Sequence, residues 1–221
     1  MIKTVIFDMD GVIVDTEPVH RYAYFKLFDE LGIEVSEEIY TSLTGNSTRN
    51  TFQKLKEMFD LSEDVELLIL RKRVLFNDAF DSKPDLELLD GVEDLIIDLH
   101  LKGMQLIVAS SASNVTIERV FNRFKLHSFF SHIVSGEDFP KSKPDPAIFN
   151  HAAAISISEK ENCIIIEDST NGIKAANAAG IFCVGYKSFH SEGQDYSLAN
   201  TIINHFNELN FEKISKLRFL H

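Results

Sequence analysis

The chain has 221 residues, 44% of them hydrophobic with 18 phenylalanines, a globular composition able to build a core in one domain or in a domain with a smaller companion. Thirty-four Asp and Glu against 22 Lys and Arg give a net charge of -12, which argues against sequence-independent nucleic-acid binding and requires local positive charge for any anionic substrate. Cys163 and Cys183 each sit inside an apolar run and read as buried free thiols, and with no signal-peptide pattern and no run near the roughly 18 apolar residues of a membrane span, a cytoplasmic protein is expected.

Val5, Ile6 and Phe7 read as a short strand buried on both faces. Asp8 ends that run. A carboxylate cannot stay unpaired in such a core, so it should emerge at the strand's carboxyl end, where open α/β sheets place their ligand sites. Asp10 follows at a spacing that can turn both acids to one side, while Gly11 permits a tight turn or a close ligand approach. Two acids facing one pocket attract a hard cation. Calcium is not the natural ion, because a calcium loop would not place Gly11 directly after the second Asp. Alone, the DMDG string is equally compatible with ordinary turn chemistry.

Thr16 is a candidate N-cap, with Glu17 and Pro18 in the first turn of a helix running to Leu31 and stopped by Gly32. Helical patterns continue over 36–43, 48–59 and 62–80, with no strand before Met104. Residues 17–88 are therefore expected to form a small helical bundle inserted after the first strand, and residues 1–16 and 89–221 a core domain. A helix over 93–102, ended by Gly103, leads back to the sheet. Strands over 104–109, 132–135, 163–166 and 182–186 then alternate with helices over 115–124, 146–154 and 171–179. The expected fold is α/β, a doubly wound, Rossmann-like parallel sheet with an all-helical second domain. The tail offers a short strand over 201–203 and a helix near Glu208.

Three further strand ends carry polar residues. Ser110, Ser111, Ala112, Ser113 and Asn114 make a hydroxyl-rich turn at a helix start, where free backbone N–H groups can bind an anion. Lys143 precedes Pro144, which biases it toward an extended conformation. Glu167 and Asp168 end an apolar strand just before Ser169, Thr170, Asn171 and Gly172 open a helix. Each feature has a bland explanation: serines cap helices, lysines decorate surfaces and acids complement helix dipoles. Jointly they crowd four carboxylates into one pocket, which a divalent cation and a lysine make tolerable. Carboxylates, Mg2+, a lysine and hydroxyls together suit phosphoryl transfer, in which the protein chiefly positions groups and stabilises charge.

The segments DMDGVIVDT, VASSAS, SKPDPAIF and IIIEDSTNGIKAANAAG, in this order, resemble the four motifs of the haloacid dehalogenase-like superfamily, in its helical-cap branch of β-phosphoglucomutase-like and phosphoglycolate-phosphatase-like enzymes. The resemblance spans nearly the whole chain. It implies that Asp8 is the nucleophile and becomes an aspartyl phosphate, and that Asp10 protonates the leaving oxygen and later activates water. It also implies Mg2+ held by the Asp8 carboxylate, the Asp10 carbonyl and Asp168, with Glu167 acting directly or through water. Ser110 and the Ser111 backbone would bind the phosphoryl oxygens, Lys143 would neutralise charge beside Asp8, and Thr16 and Asn114 would line the substrate path.

In the inserted helices the resemblance implies substrate-binding roles for His20, Gly45 and Arg49, but the loop TGNSTRN departs from the mutase pattern. Thr44 replaces the lysine before Gly45, Thr48 stands at the arginine position, and Arg49 is one residue late. The expectation is thus a Mg2+-dependent phosphatase acting as a monomer on a small phosphorylated metabolite, without nucleic acid or membrane. A sugar-phosphate mutase is the alternative. A signalling receiver domain shares the acids, hydroxyl and lysine, but the insertion of roughly 70 residues does not fit it.

Overall fold

The structure is a computed structural model and describes residues 1–43, 47–188, 191 and 193–218. The chain runs from β1 (Thr4–Phe7) into four helices, α1 (Glu17–Leu31), α2 (Glu37–Leu43), α3 (Thr48–Phe59) and α4 (Val65–Ser82). It then alternates through α5 (Val92–Leu101), β2 (Gln105–Ser110), α6 (Asn114–Phe124), β3 (His132–Ser135), α7 (Ala147–Ala154), β4 (Cys163–Glu167), α8 (Thr170–Ala179) and β5 (Phe182–Tyr186). β6 (Thr201–Ile203) and α9 (Phe211–Ile214) follow. These elements divide into two compact units, residues 1–15 with 87–221 and residues 16–86. Among the described residues, no helix is long and apolar enough to cross a membrane.

In the first unit the six strands pair in parallel in the order β3-β2-β1-β4-β5-β6. β1, β2, β4 and β5 are buried along their whole length, as their unbroken apolar runs require. Both faces are covered. On one, Ile6, Ile107 and Ile165 share a cluster with Ile148, Phe149 and Ala152 of α7 and Ile173 and Ala176 of α8. Phe7 points to the opposite face, where its ring lies 5.8 Å from that of Phe130, itself 5.2 Å from Phe121 of α6. This is the doubly wound Rossmann-like arrangement expected from the alternating pattern.

The helical unit, taken by itself, packs Leu27, Phe28, Phe52, Leu55 and Leu68 into its own core. Two helix ends differ from the sequence expectation for identifiable reasons. The Thr16 side chain makes no capping hydrogen bond to α1, so entry rests on Pro18 near its start and exit on Gly32 at φ 66°. α4 begins at Val65 because Asp64 caps it, accepting from Glu66 N at 2.8 Å and Leu67 N at 3.3 Å.

Candidate active site

Parallel register determines where the acids emerge. β1 pairs with β2 as far as Phe7↔Val108 and with β4 as far as Phe7↔Ile166. One residue further come Asp8, just past the end of β1, Ala109 in β2 and Glu167, the last residue of β4, with Ser110 and Asp168 next. From β1 the chain returns to β2 on one side and later reaches β4 on the other, so these residues lie where the strand order reverses, the crevice that open α/β sheets use for ligands.

Lys143, in the loop before α7, joins two of these ends. Its Nζ donates to Asp8 Oδ1 at 2.5 Å, to Glu167 Oε1 at 2.9 Å and to the Ala109 carbonyl at 3.2 Å, which uses all three ammonium protons. The Phe149 ring packs 4.6 Å from it. Lys143 is 5% exposed and Glu167 1%, so this is a buried ion network. Burial alone would lower the Lys143 pKa, but the Asp8 and Glu167 carboxylates hold it above the ordinary lysine value. Asp8 is pushed up to about 7 by burial and by the nearby charges of Glu167 and Asp10, against the pull of Lys143. Asp168 is raised well above the usual carboxylate range by burial, Glu167 and Asp8.

Glu167 has its second oxygen committed as well, since Oε2 accepts from Ser169 N at 2.7 Å and Ser169 Oγ at 3.0 Å. Ser169 also caps α8, its Oγ accepting from Gly172 N at 3.1 Å. Both oxygens of Glu167 are thus hydrogen-bonded, one to Lys143 and the other to Ser169. Its carboxylate folds over the first turn of α8 where a Cβ on Gly172 would overlap it. A glycine costs a helix interior about 1 kcal/mol relative to alanine, so one placed just after strand-end acids is itself a sequence signal of close approach. Gly11, at φ +82°, is held to the same standard, because a Cβ there would meet the Asp168 carboxylate. Asp168 is thus packed against the turn that carries Asp8 and Asp10.

On the β2 side, Ser110 is fully buried, with Oγ 3.4 Å from Asp10 Oδ2 and accepting from Ala112 N at 3.0 Å. Ser113 caps α6 by accepting from Thr116 N at 3.3 Å, and Ser111 is exposed beside it. Asn114 is drawn toward the turn after β3: its N–H donates to Glu137 Oε2 at 3.2 Å and its amide to Asp138 Oδ1 at 3.3 Å. The structure thus gathers Asp8, Asp10, Ser110, Lys143, Glu167 and Asp168 at one set of strand ends, and turns the Asn114 side chain to Asp138.

The helical unit holds the remaining candidates. Thr16 is buried, and its carbonyl accepts from Val19 N and His20 N. His20 Nδ1 lies 2.6 Å from Lys72 Nζ, and the His20 ring packs on Phe76 with centroids 4.4 Å apart. Lys72, only 4% exposed, lies 4.7 Å from the Tyr24 ring. It escaped notice in sequence although it interrupts the apolar stripe Leu68, Phe76 and Phe80 on α4, the signal that could have found it. Arg49 makes a two-pronged ion pair with Glu66, Nη2 lying 2.9 Å from Oε2. Gly45 and Thr44 lie outside the described residues.

Four carboxylates around one ammonium, two of them with raised pKa values, leave a deficit of positive charge that a divalent cation would fill. Among the described residues no three His, Cys, Asp or Glu side chains converge as a metal cage. A cation here would draw on at most two carboxylates and complete its shell with backbone carbonyl and water. An all-oxygen set of that kind suits Mg2+, which binds through one or two carboxylates and keeps several waters.

Against known proteins, the family model of haloacid dehalogenase-like hydrolases matches residues 5–186. 6-Phosphogluconate phosphatase of Escherichia coli is 31% identical over 189 residues, covering 81% of this chain and 80% of that protein. β-Phosphoglucomutase of Bacillus subtilis is 28% identical over 215 residues, covering 95% and 92%. A crystal structure of a CbbY mutant from Rhodobacter sphaeroides in complex with xylulose-(1,5)bisphosphate superposes with a TM-score of 0.84 at 25% identity, covering 95% of this chain and 96% of that one.

Proposed function

We propose a Mg2+-dependent phosphatase of small phosphorylated carbohydrates, starting from the premise that the chain belongs to the haloacid dehalogenase-like hydrolase family. The observation that carries this reading is the buried Lys143 bonded at once to Asp8 and Glu167, which fixes a carboxylate at the carboxyl end of the central strand, with Asp168 packed against the same turn. The named relatives are phosphatases and mutases of phosphorylated sugars and sugar acids, which supports the substrate class.

With Oδ1 of Asp8 held by Lys143, its other oxygen attacks phosphorus, and the P–O bond to the alcohol breaks as Asp10 gives that oxygen a proton. Water, losing a proton to Asp10, then attacks the aspartyl phosphate and restores Asp8. Ser110 and the Ser111 backbone hold the phosphoryl oxygens, and Lys143 steadies the charge on Asp8 throughout. Asp8, Asp168 and the Asp10 carbonyl would hold the Mg2+, which supplies the positive charge that keeps these acids ionised and offsets that of the phosphoryl group. Glu167 serves by fixing Lys143. Substrate-binding roles are proposed for Thr16, His20, Gly45 and Arg49, with Lys72 added, on the helical unit, and for Asn114 on the core unit.

A mutase is the second reading, favoured by the His20–Lys72 pair, a buried lysine beside an imidazole in a chain whose relatives include a β-phosphoglucomutase. Arg49 weakens it, because its guanidinium is already engaged by Glu66. Phosphate release measured over a panel of sugar phosphates, nucleotides and phosphoglycolate, with Mg2+ and again with EDTA, tests the proposal. Turnover should require Mg2+ and vanish in Asp8→Asn, and substantial turnover by that variant would overturn the covalent mechanism.

A further inference from the structure

One segment grips the acid turn from outside the motifs. Beyond β5, Gln194, Asp195 and Tyr196 contact both flanks of Ser169. Gln194 Oε1 accepts from Thr170 N at 2.7 Å, and Asp195 N donates to Thr170 Oγ1 at 2.7 Å. The Tyr196 hydroxyl lies 2.8 Å from the Asp168 carbonyl and 3.1 Å from that of Tyr186. These carbonyls belong to the parting ends of β4 and β5, whose last ladder pair is Glu167↔Gly185. Tyr196 thus stands in for the ladder where it stops.

The reach of the ring is built in. Its Cδ1 lies where a Cβ on Gly185 would come within 2.8 Å, so only a glycine in β5 lets the tyrosine lie across the strand. Tyr196 is only 9% exposed, so its hydroxyl meets these carbonyls inside the fold. The bonds then run inward without a break. The 194–196 segment holds Asp168 and Thr170, Ser169 between them holds Glu167, Glu167 holds Lys143, and Lys143 holds Asp8.

We propose that residues 194–196 form a positioning clamp for the acid turn, with Tyr196 setting the orientation of Asp168 through its backbone carbonyl and Gln194 pinning the start of α8. The inference rests on the reading of Asp168 as a cation ligand. Outer groups that orient a metal ligand are commonly worth 10- to 100-fold in metal affinity, so an about tenfold effect is expected from losing one hydroxyl.

The test is a Mn2+ titration of the metal-free full-length protein, with free Mn2+ read by electron paramagnetic resonance, on wild type, Tyr196→Phe, Gln194→Ala and Asp168→Asn. Tyr196→Phe keeps the ring on Gly185 and removes only the hydroxyl. Its Kd for Mn2+ should rise about tenfold, Gln194→Ala should move it the same way, and Asp168→Asn marks the loss of a ligand. In phosphate release, the Mg2+ concentration giving half-maximal rate should rise in parallel while kcat at saturating Mg2+ is largely kept. Wild-type Kd in folded Tyr196→Phe and Gln194→Ala, with only Tm lowered, would overturn the clamp and leave the metal site standing. If Tyr196→Phe fails to fold, Gln194→Ala decides. Absence of Mn2+ binding by the wild type would overturn the metal reading and the clamp with it.

Discussion

Replacing Lys143 by methionine removes the ammonium bonded to both Asp8 and Glu167 while keeping the bulk of its alkyl chain. At pH 8 in EDTA it leaves two buried carboxylates facing each other, and stranding a buried charge in this way costs about 3–5 kcal/mol. At roughly 2–4 °C per kcal/mol for a chain of this size, Tm should fall by about 6–20 °C. The loss must shrink at acid pH. Asp8 already has its folded pKa raised to about 7, chiefly by burial, so the stability linked to its proton is complete below the unfolded value near 4 and is lost as pH rises through 7. Without Lys143 that pKa rises further, so at pH 5 Asp8 is neutral and the repulsion is relieved, whereas wild-type Lys143, with its pKa raised, stays charged over the whole window. Scanning calorimetry or urea melts at pH 5 and pH 8 measure the difference. A loss as large at pH 5 as at pH 8, or a gain at pH 8, would refute the assignment of Lys143 as counter-ion.

Asp10→Asn keeps the backbone carbonyl but loses the transferable proton, so alkyl phosphates should slow by about 10²- to 10⁴-fold, with aryl phosphates hurt less in single-turnover phosphorylation. Equal losses for both leaving groups would remove Asp10 from that role. Gly172→Ala should displace the Glu167 carboxylate that a Cβ would overlap, lowering Tm even though alanine is the better helix former; a raised Tm would mean that the close approach is not as described. With β-glucose 1-phosphate and catalytic glucose 1,6-bisphosphate, coupled assays should find inorganic phosphate in excess of glucose 6-phosphate, and faster formation of glucose 6-phosphate would favour the mutase.

How much of this was legible in sequence depended on whether a residue's partner was near in the pattern. The strands could be read because unbroken apolar runs such as Cys163–Glu167 end in acids, and the alternation with helices dictates a parallel sheet. Candidate acids at neighbouring strand ends could be read for the same reason. Their division of labour could not. Nothing local to Glu167 says that one oxygen meets Lys143, since that follows from the placement of a loop 24 residues away, whereas its bond to Ser169 lies only two residues off. Tyr196 reaches Asp168 across 28 residues, and no motif spacing announces it. Thr16 illustrates the opposite error, a residue of the right type before a helix whose side chain does not cap it.

The helical unit shows how pairing changes the meaning of charge. By residue type Arg49 is a natural phosphate ligand, but with its guanidinium on an exposed Glu66 it is partly neutralised, and freeing it requires breaking that pair. Lys72 is the reverse case: it sits in an apolar stripe, held by His20 and lying over the faces of Tyr24 and Phe76. A bisphosphate intermediate needs a second site of fixed positive charge to stay bound while it turns over. A unit that commits Arg49 to Glu66 and has threonines at positions 44 and 48 supplies less of that charge than the mutase pattern does. A monophosphate makes no such demand. On the proposed reading the phosphoenzyme would meet water more often than a returning sugar phosphate, so net hydrolysis is the outcome that reading expects.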